Sequence, residues 1–280
     1  MYFLFLLGRF LALILPRRVG YLLAYLLGNL QFLCAKRDFV VISNNLKPVI
    51  GDDKKKLAAH VRMIFINFTY YLVDFFRFSR INPKFITRYV KIEHREIVDR
   101  LRQEGKSIII YSAHLGNYEL GAAVMGMSGY PVAGLALPHK NPRVNRFFNH
   151  QRNLCKVKII STDEVKTCFR YLAEGGIIAI VGDRDFFGNG EKVTLLDHAC
   201  KLPKGPVRFA LRSRSYIVPT FMIRENRDHY RLIFEKAISP LKGDGLKTES
   251  ELLDECAGIL GSYIKKYPSQ WYMFGEFWTD

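Results

Sequence analysis

The sequence is poor in cysteine and in acidic residues, and no apolar run in it reaches the length of a bilayer. Its five cysteines (Cys34, Cys155, Cys168, Cys200 and Cys256) are scattered over 280 residues. They are odd in number and form no C-x-x-C pair. This argues against a disulfide framework or a zinc site and favours a reducing compartment. Acidic residues number 26 against 42 Lys and Arg, giving a net charge of +16. That deficit points to anionic partners: membrane phospholipid, nucleic acid or an acidic carrier protein. A G-x-S-x-G pattern is missing, so no serine at a nucleophile elbow is expected. Internal repeats and low-complexity segments are also missing. The 49% hydrophobic content over this length suits one large α/β domain or two small ones.

The N-terminal stretch is apolar. Residues Tyr2 to Leu15 are interrupted only by Gly8 and Arg9, and Pro16-Arg17-Arg18 ends the run. A second apolar stretch, Val19 to Ala35, stops at Lys36-Arg37. Each falls short of the ~20 residues that span a bilayer. A signal peptide fits poorly, because no basic segment precedes the run and no small-residue cleavage site follows. Two readings remain. One is a membrane-embedded or interfacial helical pair with Arg17, Arg18, Lys36 and Arg37 at the anionic cytoplasmic surface. The other is a pair of helices buried in a soluble protein. The first run is apolar on nearly all faces, which favours attachment. Residues 1–35 are expected to form a membrane-anchoring helical region, and 36–280 the functional domain.

Residues Lys36 to Lys56 read as a polar connection, and Leu57 to Phe78 as a helix with a wide apolar and aromatic stripe. That stripe packs on a sheet, or faces membrane or an acyl chain. Strands and helices then alternate. Strands are expected at 107–112, 132–137, 156–160, 177–181, 217–224 and 230–234. Helices are expected at 96–104, 118–127, 141–154, 164–174, 206–214 and 249–266, the last opened by a Thr248/Glu251 capping box. The alternation predicts an α/β fold with a mixed, largely parallel sheet flanked by helices.

His114 and Glu119 stand out. The apolar run Ile108 to Ile110 reads as a buried strand that ends in a small-residue turn carrying His114, with Glu119 following in a helix. Chemistry in α/β proteins collects beyond the carboxyl ends of strands. A histidine there, with a carboxylate to fix its tautomer, is a candidate general base for a substrate hydroxyl. Ile177 to Phe186 repeats the logic: a buried strand, Gly182, then Asp183, Arg184 and Asp185. In a parallel sheet both clusters share one edge. Arg184 could hold a phosphate or an oxyanion while the aspartates orient it or the acceptor hydroxyl; an internal ion-pair network is the other reading. No histidine neighbours this cluster, so no metal site is expected. His139, Lys140, Arg143, Arg146 and Arg152 add positive charge. Lys201, Lys204 and Arg208 do so around the helix opened by Pro206, a natural anion site.

These residues resemble the H-x-x-x-x-D/E signature of the lysophospholipid acyltransferase superfamily. The wider pattern is similar to its lipid A late acyltransferase branch, which includes phosphatidylinositol mannoside acyltransferases. The resemblance covers nearly the whole chain. It takes in Asn44-Asn45-Leu46, Ala113-His-Leu-Gly-Asn-Tyr-Glu119, Asn145 with Arg152, Asp183-Arg-Asp185, Lys204-Gly-Pro206 and Tyr267-Pro-Ser-Gln-Trp271. It implies a membrane-associated O-acyltransferase whose His114–Glu119 dyad activates an acceptor hydroxyl against an acyl thioester. Asn117, Arg152, Asp183, Arg184, Asp185 and Lys204 are implied at the substrate. No metal or redox cofactor is implied. The donor would be an acyl carrier protein or coenzyme A thioester, both acidic. The acceptor would be a membrane lipid or glycolipid of the lipid A type, and the place the cytoplasmic side of the cell inner membrane. A phosphatidylinositol mannoside or a lysophospholipid would suit the same chemistry. A basic nucleic-acid-binding protein is disfavoured, because the aromatics lie in apolar runs and are not interleaved with arginines. Gly182-Asp-Arg-Asp185 replaces the E-G-T-R-like motif of glycerophosphate acyltransferases, and Leu195-Leu196-Asp197 stands where the family usually has F-F-G.

Overall fold

The computed structural model describes residues 2–279. Four helices come first: α1 (Tyr2–Ile14), α2 (Arg17–Cys34), α3 (Lys36–Ile50) and α4 (Lys54–Phe76). Next come α5 (Pro83–Tyr89), β1 (Val90–Glu93), α6 (Arg95–Gln103), β2 (Ile108–Ser112), α7 (Tyr118–Met127) and β3 (Val132–Ala136). They are followed by α8 (Pro142–Leu154), β4 (Lys158–Ser161), α9 (Val165–Ala173) and β5 (Ile177–Val181). The chain continues with β6 (Glu191–Leu195), β7 (His198–Leu202), α10 (Gly205–Ser213), β8 (Tyr216–Arg224) and β9 (Tyr230–Phe234). A two-residue ladder, β10 (Leu241–Lys242) with β11 (Gly245–Leu246), precedes α11 (Glu249–Lys266).

Seven strands form the main sheet in the order β1-β9-β8-β2-β5-β3-β4. Only the β8–β9 pair is antiparallel. This is the expected mixed, largely parallel sheet flanked by helices. β2 lies at its centre with all five residues buried, and a continuous apolar run is what a strand covered on both faces requires. Fully burying each of Ile108, Ile109 and Ile110 stabilises by about 1.5–3 kcal/mol. Both faces carry apolar cores: Ile109, Tyr111 and Ile178 point to one, Ile108, Ile110 and Ile177 to the other.

Several elements differ from the sequence expectation, among them α3, α5, β1 and the β6–β7 hairpin. The polar segment after residue 35 is helical over Lys36–Ile50, bent 91° from α2. Its Ile42 and Leu46 are buried. Asn45, a poor helix former, is held because its amide donates to the carbonyls of Met273 and Gly275 and accepts from the Phe277 N–H. The β6–β7 hairpin turns on Leu196 and Asp197, at φ +52° and +65°. Two consecutive positive φ values give the tight turn that matches strand twist, here without the usual glycine. The short edge strand β1 was also not anticipated.

No single helix among the described residues is long and apolar enough to cross a membrane. α1 and α2 pack on α4: Ala12, Tyr21 and Ala24 are buried. A Cβ on Gly28 would meet the Ile66 backbone at 2.8 Å, so α2 and α4 touch through their main chains. Their outer sides remain apolar and exposed.

A buried carboxylate joins these layers. Asp74 of α4 is 4% exposed. It accepts from the hydroxyls of Tyr21 and Tyr230, from Arg224 Nη2 at 2.6 Å and from Asn117 Nδ2 at 3.0 Å. Arg17 Nη2 lies 3.5 Å from Oδ1, the oxygen that accepts from Tyr21. Burial works against the charged form of Arg224, but Tyr230 and Asp74 raise its pKa well above the ordinary value. The Tyr21 phenol is pushed up to about 12, first by burial and then by Asp74, so it stays a donor.

Removing one partner from a buried ion cluster leaves uncompensated charge and costs about 3–5 kcal/mol. Asp74→Ala should destabilise the protein by that order, read from the midpoint of chemical unfolding, and Asp74→Asn by less. The thiols give a second check. Cys34 is exposed and the other four cysteines are buried; burial pushes Cys155 and Cys256 up to about 12 and Cys168 to about 11. Native protein at mildly alkaline pH should therefore alkylate only at Cys34, and all five sites should react after denaturation.

Candidate active site

Parallel register places the principal pair. Ser112 of β2 lies opposite Val181 of β5, and the next N–H, of Gly182, donates to the Ser112 carbonyl at 2.8 Å. His114 and Asp183 each come two residues beyond these partners, so they meet at the carboxyl edge. The His114 ring contacts Asp183 through Nδ1, 2.7 Å from Oδ1. The His114 main-chain N–H donates to Oδ2 at 3.0 Å, and Trp271 Nε1 donates to the same oxygen at 3.2 Å. Asp183 is fully buried, whereas the His114 side chain keeps 15% exposure. Burial raises the Asp183 pKa, but the His114 charge and hydrogen bonds outweigh it and hold the carboxyl below its ordinary range.

The turn carrying His114 is fastened at each residue. The His114 carbonyl accepts from the Tyr272 N–H at 2.7 Å, the Gly116 N–H donates to Gln270, and the Asn117 N–H donates to Met222. Gly116 has φ +64°, and a Cβ there would lie 2.0 Å from the Met222 carbonyl oxygen, so only glycine fits. Asn117 caps α7 by accepting from the Leu120 N–H at 3.1 Å, and its amide donates to Asp74. The buried cluster thus reaches the histidine turn through one side chain.

Glu119 was expected to orient His114, but the carboxylate that meets His114 in the structure is Asp183. Glu119, in the first turn of α7, points to α8 instead. Arg152 Nε lies 3.1 and 3.0 Å from its two oxygens, and Nη2 also donates to Oε1. Burial works against the charged guanidinium, but Glu119 raises its pKa above the ordinary arginine value. The Tyr118 ring lies 5.1 Å from His114 and 5.5 Å from Tyr71. Burial and Glu119 push its phenol up to about 12.

The remaining predicted residues disperse. Asn117 is 1% exposed, with both amide atoms used inside the fold. Arg184 donates to the Tyr272 carbonyl and so clamps the segment after α11. Asp185 accepts from the Phe187 and Gly190 N–H groups, shaping a loop that exposes Phe186 and Phe187 by 58% and 66%. Phe186 lies 6.4 Å from the His114 ring. Lys204 pairs with Glu191 at 3.1 Å. Of the three charged residues in Asp183-Arg-Asp185, only Asp183 meets the histidine. Sequence reasoning missed Asp74, Tyr118 and Trp271 as contributors. A carboxylate amid the aromatics of α4 was the one available signal for the first.

The model of the bacterial lipid A biosynthesis acyltransferase family matches residues 1–279. The chain belongs to that family. No curated protein matches it. Membership establishes an acyltransferase of the lipid A type, with a lipid acceptor and an acyl donor. In this lipid A biosynthesis acyltransferase, the resemblance read from Ala113 to Glu119 and from Asp183 to Asp185 extends over essentially the whole chain.

The depressed Asp183 pKa has a pH signature. A carboxyl whose folded pKa lies below its unfolded value contributes stability above the unfolded value, about 3.8–3.9, and loses it as pH falls through the folded one. Wild-type stability should therefore fall more steeply below about pH 4 than that of Asp183→Asn, compared in denaturant titrations at each pH.

Proposed function

We propose that this acyltransferase moves a fatty acyl chain from a thioester to a hydroxyl of a lipid A-type acceptor, with His114 as general base and Asp183 as the residue that orients it. The 2.7 Å contact between His114 Nδ1 and the buried Asp183 carboxylate carries this reading. An ionised carboxylate only accepts, so Nδ1 bears the ring proton and Nε2 keeps its lone pair. Nε2 takes the acceptor's hydroxyl proton as the oxygen bonds to the thioester carbonyl carbon. The tetrahedral intermediate then collapses: the carbon–sulfur bond breaks, the proton passes from Nε2 to the departing sulfur, and an ester and a free thiol result. Asp183 stays ionised and stabilises the imidazolium between the two transfers.

Glu119 and Arg152 then act as a pair that holds α7 against α8 and keeps Tyr118 beside the base. The exposed rings of Phe186 and Phe187 are suited to receive an acyl chain. An acyl carrier protein or coenzyme A thioester fits the net charge of +16. Residues 2–35 lie against the cytoplasmic leaflet of the inner membrane through the apolar rows of α1 and α2. These residues also supply Arg17 and Tyr21 to the Asp74 cluster, so they work as anchor and as part of the catalytic body.

Acyl transfer from labelled acyl-carrier-protein and acyl-coenzyme-A donors to extracted membrane lipids tests the assignment. His114→Ala should abolish product. Asp183→Asn should lower kcat by roughly 10³–10⁴-fold with little change in KM. Glu119→Gln should have a smaller effect that tracks its loss of stability. Undiminished turnover in Asp183→Asn, with the fold intact by melting, would remove Asp183 from its role.

A further inference from the structure

A second cationic site lies away from His114. A groove of about 260 Å³ runs between α1 and α8, lined by Tyr2, Leu6 and Arg9 on one side and Arg143, Arg146 and His150 on the other. Helical spacing assembles it: 2, 6 and 9 share a face of α1, and 143, 146 and 150 share a face of α8. Arg9 is fixed in place. Its Nε donates to Gln151 Oε1 at 3.1 Å. Gln151, fully buried, donates to the Phe75 carbonyl at 2.8 Å.

No carboxylate among the described residues forms an ion pair with Arg9, Arg143, Arg146 or His150, whereas Arg152 on the same helix has Glu119. Three guanidiniums around one groove repel each other until an anion enters. Guanidinium forks match phosphate oxygens two at a time. The next row around α1 is apolar and open: Phe3, Leu7, Phe10 and Ile14 are 73%, 53%, 59% and 58% exposed. A phosphate-sized cationic groove bordered by uncovered aliphatic and aromatic side chains is complementary to a lipid, with headgroup in the groove and chains along the helix. At about 100° per residue, Arg152 faces roughly away from Arg143 and His150, so the groove and the Glu119–Arg152 pair occupy different sides of α8.

We propose that the α1–α8 groove binds the phosphate headgroup of an anionic phospholipid and seats the protein on the membrane surface, on the side of α8 away from the Glu119–Arg152 pair. The binding needs no acyl transfer, so His114→Ala should retain it, and failure here is distinguishable from failure of the catalytic reading.

Flotation of the full chain with phosphatidylcholine vesicles, with and without phosphatidylglycerol, provides the test. Arg143→Gln/Arg146→Gln should cut the phosphatidylglycerol enhancement by roughly tenfold or more, with melting unchanged because both side chains are exposed. Arg143→Lys/Arg146→Lys keeps the charge but loses the forks, and should lose part of the enhancement. Lys166→Gln/Arg170→Gln, an equal loss of charge on α9, should leave it intact. The proposal falls if the lysine variant binds like wild type, if the α9 variant loses as much as the glutamine variant, or if none of the three differs from wild type.

Discussion

One buried carboxylate ties the parts of this enzyme together. Asp74 sits where α2, α4, α7, β8 and β9 converge, and each of the five contributes to the cluster it centres. A charge in a low-dielectric interior is tolerable only when its hydrogen bonds are complete. None of these elements can therefore shift alone. Asn117 carries the constraint to the N-terminus of α7, and the turn before that terminus holds His114. The N-terminal helices are coupled to the His114 turn by the same logic, through Arg17 and Tyr21.

On this frame the site is assembled by sheet register. A histidine and an aspartate, 69 residues apart in sequence, come together because β2 and β5 are parallel neighbours and each bears its charged residue two positions past the last paired residue. The polar side chains separate into two closed pairs, His114 with Asp183 and Arg152 with Glu119, and the Tyr118 ring lies beside His114. Unpaired cations are left for the α1–α8 groove, where the local excess of positive charge faces outward beside apolar side chains.

Much of this was legible beforehand. The strand–turn–helix around His114, the second cluster after Gly182 and the parallel sheet all follow from apolar runs bounded by glycine and charge. The partner of His114 was not legible, because Glu119 is near in sequence while Asp183 is near in space, and only strand order decides between them. The helix over Lys36–Ile50 was hidden by Ser43-Asn44-Asn45. Those residues lower helix propensity, but Asn45 is repaid by bonds to residues 273–277, a tertiary effect outside any local window. The β6–β7 hairpin was hidden because Leu196-Asp197 adopts a turn usually announced by Asn-Gly. Asp74 was hidden because its one signal, a single acid amid the aromatics of α4, does not say which distant tyrosines and arginines surround it.

The dependence of the site on residues after α11 has a temporal consequence. Trp271 donates to Asp183, the Tyr272 N–H donates to the His114 carbonyl, and Arg184 grips the Tyr272 carbonyl. During synthesis, His114 and Asp183 leave the ribosome long before these residues do. A nascent chain that has made its sheet but not this segment has a histidine turn without its backing. The His114–Asp183 pair therefore gains its backing late in translation, after the N-terminal helices are free to find the Asp74 cluster.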